Sequence, residues 1–99
     1  MKTLTTRMAQ YELDTVYTMF SKAMDKYFRT LEMKKGQAAE AWTKRTGDVG
    51  SKKAMARCEV KITRTYFLAA KHNYEKTLAM CEVEAANAYD RRYHGTTNS

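Results

Sequence analysis

Proline is absent from all 99 residues and glycine occurs only four times. A chain with so little to end or weaken a helix is held to an all-α fold, since those two residues are the strongest helix interrupters. The apolar spacing agrees. Leu13, Val16, Tyr17, Phe20, Ala23, Met24, Tyr27, Phe28 and Leu31 follow one another in steps of three or four, or sit beside one that does, which keeps one helical face apolar. Thr15, Thr18, Lys22, Asp25, Lys26, Arg29 and Glu32 fill the other face, with Asp25 and Arg29 placed as an i,i+4 ion pair.

The strongest break is Thr46-Gly47-Asp48-Val49-Gly50-Ser51. It separates a first helix expected over about residues 4 to 45 from a second expected from Ser51, as its cap, to about His94. The first helix is continuous or split near Gly36, where the pattern weakens before Gln37-Ala38-Ala39-Glu40-Ala41-Trp42 resumes it. Gly95 is a suitable stop. The expectation is therefore a long antiparallel helical hairpin, one domain over residues 1–95, followed by a polar tail at 96–99. No internal repeat or low-complexity segment is evident.

Two apolar lines run along the second helix. Met55, Ile62, Tyr66, Ala69 and Met80 form one; Val60, Phe67, Tyr74, Leu78, Cys81 and Ala85 form the other. Two lines imply two neighbours, and a two-helix hairpin cannot enclose a core alone, so packing into a homo-oligomeric helical bundle, or against a different protein, is expected. Phe20, Tyr27, Leu31, Trp42, Ile62, Tyr66, Phe67, Tyr74 and Leu78 are the candidate interface residues, and Tyr17, Tyr27, Tyr66 and Tyr74 are expected in the core.

The formal net charge is +7. Half of the 18 basic residues, Lys34, Lys35, Lys44, Arg45, Lys52, Lys53, Arg57, Lys61 and Arg64, fall in one stretch that holds only Glu40, Asp48 and Glu59 as acids. Arg57, Lys61, Arg64 and Lys71 share a face, while Lys52 and Lys53 occupy a first helical turn, where the macrodipole disfavours cations and a bound anion would offset the penalty. Lys44, Arg45, Lys52, Lys53, Arg57, Lys61, Arg64 and Lys71 are accordingly the candidate polyanion-binding residues. The expected partner is nucleic acid, held mainly through its phosphates, since the spacing of a zinc finger and the strand of an RNP motif are both missing. The alternative is an acidic protein surface, met by an assembly component of a larger particle or by a small inhibitor. Arg91, Arg92 and His94 are expected to serve the negative end of the last helix.

Catalytic and metal motifs are missing. His72 and His94 stand outside any His-Glu-x-x-His or Cys-x-x-Cys pattern, and Gly47 and Gly50 lack phosphate-loop spacing, so neither enzyme activity nor a cofactor nor a metal is expected. Asp90 and His94 are placed for an ion pair. Cys58 and Cys81, on one expected helix roughly 35 Å apart, would be reduced thiols, which fits a cytoplasmic protein. The first residues lack a signal-peptide core and no apolar run reaches membrane length, so no membrane association is expected. Trp42 is followed by Thr43-Lys44, which departs from the Trp-x-Gly turn of the small secreted helical hairpins.

Overall fold

The computed structural model describes residues 3–94, all-helical with connecting turns. Four helices follow in order: α1 (Leu4–Glu32), α2 (Lys35–Thr46), α3 (Lys52–Leu78) and α4 (Glu82–His94). The first expected helix is split near Gly36, one of the two alternatives, and the second, expected as one helix, is corrected to a long and a short one. Gly95 and the tail lie outside the described residues.

The first break falls at Met33 and Lys34 rather than at Gly36, which sits inside the first turn of α2. There the Met33 N–H closes a tight turn on the Thr30 carbonyl, 3.2 Å, and Lys34 turns extended, with φ −68° and ψ 155°. The Gln37 side chain reaches back to the Lys34 N–H, 3.1 Å, as the returning half of a capping box. The second break, unexpected from the sequence, uses the same device. The Met80 N–H meets the Thr77 carbonyl at 3.1 Å, and Glu84 accepts the Cys81 N–H at 3.2 Å. Cys81 therefore precedes α4 instead of sharing a helix with Cys58, and both thiols are free. At the bend, Gly47 ends α2 with φ +80°, a left-handed conformation that favours glycine, and its N–H bonds the Thr43 carbonyl at 2.7 Å. Ser51 Oγ accepts the Ala54 N–H at 3.4 Å at the start of α3.

These paired devices belong to an internal repeat, contrary to the expectation of none. Residues 47 apart match without a gap: Glu12 and Glu59, Phe20 and Phe67, Tyr27 and Tyr74, Thr30 and Thr77, Leu31 and Leu78, Met33 and Met80, Ala38 and Ala85, Ala39 and Ala86, Arg45 and Arg92. Each repeat supplies one long helix and one short helix.

The chain divides into two compact units, a central one of Ser21–Ala69 and a terminal one of Met1–Phe20 with Ala70–Ser99. Each combines half of one repeat with the complementary half of the other, and each is held by the same contacts. In the central unit Arg45 donates to both oxygens of the buried Glu59, at 3.0 and 2.8 Å. In the terminal unit Arg92 donates to both oxygens of the buried Glu12, at 3.0 and 2.7 Å. In both, the carboxylate hydrogen bonds hold the guanidinium more firmly protonated than usual. Tyr27 stacks on Phe67 in the central unit, centroids 5.5 Å apart, and Phe20 stacks on Tyr74 in the terminal unit, also at 5.5 Å.

Apart from the paired Glu12 and Glu59, the residues that bury most completely are small. Ala38, Ala39 and Ala56 do so in the central unit, Val16, Ala85 and Ala86 in the terminal one. Beside them Thr30, Thr63 and Thr77 bury hydroxyls that bond back to the carbonyl four residues earlier, so none of these three donors is left open. The tyrosine expectation is corrected accordingly. Tyr17 and Tyr66 are about half exposed, at 53% and 52%, and Tyr27 and Tyr74 are half-buried. Alanine and threonine take the positions where helices approach most closely, and rings of that size are displaced to the edges.

Candidate functional site

The central unit carries a groove of about 640 Å³. Its floor is Tyr27, Thr30 and Leu31 from α1, Met33, Ala38 from α2, and Ala56 and Val60 from α3. Its rim is Lys35 together with Lys53, Arg57, Lys61 and Arg64. The rim cations are exposed, and no acidic side chain is among the lining residues. On α3 the four cations follow offsets of four, four and three, so they stand about one helical turn apart along one face.

Four of the eight candidate cations are therefore gathered in this groove, and the rest are not. Arg45 is drawn off by Glu59 and sits 5.9 Å from the centre of the Tyr66 ring, which makes it part of the packing. Lys44 and Lys52 line other depressions of the central unit, the first with Asp25, Arg29 and Glu59, the second with Glu40 and Thr43. Lys71 belongs to the terminal unit. Lys35 completes the rim; it was visible in the basic stretch, but only the α1 to α2 break turns it toward this groove.

The candidate interface residues divide similarly. Phe20, Tyr27, Phe67 and Tyr74 are spent on ring stacking inside the units. Trp42 and Ile62 are half-buried, whereas Leu31, Tyr66 and Leu78 remain about half exposed. Arg92, expected as a helix-end cation, instead neutralises Glu12. His94 lies 3.9 Å from Asp90 across one helical turn, and Asp25 bonds Arg29 at 2.7 Å, both on the surface.

The terminal unit holds the counterpart of the basic groove. Thr6, Ala9, Gln10, Leu13, Thr77, Leu78, Met80, Glu82 and Ala85 line it, each 47 residues from a residue lining the central groove. The floors are alike, since Thr77, Leu78, Met80, Ala85 and Ala9 repeat the central residues and Leu13 replaces Val60. The rims are not. Lys35 becomes Glu82, Lys53 becomes Thr6, Arg57 becomes Gln10, Lys61 becomes Asp14 and Arg64 becomes Tyr17. Thr6 Oγ1 donates to Glu82 Oε2 at 2.9 Å, a bond that the two lysines at the equivalent positions cannot make, and this groove is only about 190 Å³.

The same division holds for the whole charge. The central unit has twelve Lys and Arg against five Asp and Glu, a net +7, and the terminal unit has six against six, a net of zero. Among the described residues no group of three or more His, Cys, Asp or Glu is placed to hold a metal ion, and no helix is long and apolar enough to cross a membrane. The chain matches no protein-family model, no curated protein and no solved structure.

Proposed function

We propose that this is a non-enzymatic protein that holds a polyanion, nucleic acid in the first instance, in the cationic groove of its central unit. The observation that carries the reading is the rim substitution between repeats. Five cations line one groove and none its counterpart, although most of the floor is shared. Cations required by the fold would be needed in both units, and cations that only maintain solubility would be scattered over both. Lys35, Lys53, Arg57, Lys61 and Arg64 are the residues assigned to the phosphates, with Lys44 and Lys52 adding to the local potential.

Exposed Tyr66 and Leu78 support self-association as part of the same proposal, and the free Cys58 and Cys81 suit a cytoplasmic setting. A second reading, in which the rim meets an acidic protein surface during particle assembly or inhibition, is favoured by the exposed Leu31 and Met33 beside the cations.

The test is a titration against labelled nucleic acid at two salt concentrations. Neutralising four or five phosphates predicts roughly a hundredfold loss of affinity between about 50 and 200 mM salt. Weak salt dependence, or equal binding by the variant Lys53→Glu, Arg57→Glu, Lys61→Glu, Arg64→Glu, would overturn the assignment.

A further inference from the structure

Resting on the polyanion reading, we infer that the ligand of the central groove is single-stranded, with phosphates on the α3 cations and unpaired bases against the apolar floor. The rim supplies the first half of the argument. Lys53, Arg57, Lys61 and Arg64 form a single file at about one helical turn per cation, which suits successive phosphates of one extended strand. The floor supplies the second half. Leu31 is 50% and Met33 38% exposed inside the groove, beside half-buried Tyr27. A duplex keeps its bases stacked within and offers this surface only phosphates, so the floor would stay in water. A single strand offers charge and planar apolar faces together, which is the combination that such grooves use.

The terminal counterpart sharpens the point. It shares most of the floor, though not the ring of Tyr27, and lacks the cations, and its Thr6 to Glu82 bond spans two of the positions where the central groove has lysines. In the central unit Lys35 and Lys53 replace that bonded pair with two like charges, and the groove is about 640 instead of about 190 Å³. The central floor is accessible, with Leu31 and Met33 exposed.

Fluorescence anisotropy with a labelled ten-nucleotide single strand decides the matter, with its duplex and inorganic polyphosphate as competitors at one salt concentration. The single strand is expected to bind about tenfold more tightly than either competitor. Leu31→Ser with Met33→Ser, both at exposed positions, is expected to remove that advantage while leaving polyphosphate binding unchanged. Equal affinity for all three ligands would overturn the single-strand inference and leave the polyanion reading standing. Failure of all three to bind would overturn both.

Discussion

The central and terminal grooves share most of their floor and differ at the rim, where Lys35, Lys53 and Arg57 line the central groove and Glu82, Thr6 and Gln10 the terminal one; Lys61 and Arg64 also line the central groove, while their counterparts Asp14 and Tyr17 do not line the terminal one. Within one chain this separates two kinds of constraint. Many of the positions that agree between repeats, Glu12 and Glu59, Arg45 and Arg92, Thr30 and Thr77, Ala38 and Ala85 among them, bury or pair. The rim positions differ in role as well as residue: in the terminal unit they bond or pack locally, as Thr6 with Glu82, Gln10 with Asp14 and Tyr17 with Tyr74, whereas in the central unit they are exposed cations. Charge collected on one rim alone is what the proposed polyanion site requires and what the shared packing does not.

The largest expected effect comes from the rim. Reversing Lys53, Arg57, Lys61 and Arg64 to glutamate should abolish detectable nucleic-acid binding in anisotropy, with a melting curve close to that of the parent, because these side chains are exposed. Next are the buried carboxylates. Arg45→Ala and Arg92→Ala each leave a glutamate only 2 to 3% exposed without its partner, and each should cost about 3 kcal/mol in chemical denaturation. Clearly unequal losses would mean that the units are not equivalent in their packing. The stacked rings come third. A double-mutant cycle on Tyr27 and Phe67, and another on Phe20 and Tyr74, should each return a coupling of about 1 kcal/mol.

The smallest effect separates the two caps. Gln37→Ala should cost about 0.5 kcal/mol at any moderate pH, since an amide does not titrate. Glu84 differs, because the Cys81 N–H holds its carboxyl below the usual carboxylate range. Its contribution is complete above the ordinary carboxylate pKa and vanishes as pH falls through the lower folded value. Glu84→Ala should therefore destabilise α4 near neutrality and make no difference in acid, as read from the variant's denaturation midpoint relative to the parent at each pH.

Helical content, the glycine bend, the Ser51 cap and the basic stretch were legible from composition and local pattern, because each depends on residues close in sequence. The turn at Ala79 to Cys81 was not, since it contains neither glycine nor proline and is set by Glu84 reaching back to a backbone N–H. The repeat was hidden because its matches are scattered, small or buried residues among diverged surface positions. Nor could the sequence assign Arg45 to Glu59 rather than Glu12, two carboxylates of identical chemistry. Without that pairing Arg45 reads as one more surface cation, and Lys71 cannot be separated from the residues with which it shares a helix.

The central claim is that the rim cations alone distinguish a binding groove from an idle one. Transplanting them, as Thr6→Lys, Gln10→Arg, Asp14→Lys, Tyr17→Arg and Glu82→Lys, tests it by calorimetric titration with a short single-stranded oligonucleotide. One bound strand per chain in the parent and two in the transplant is the predicted result; a stoichiometry that stays at one in a folded transplant would contradict it.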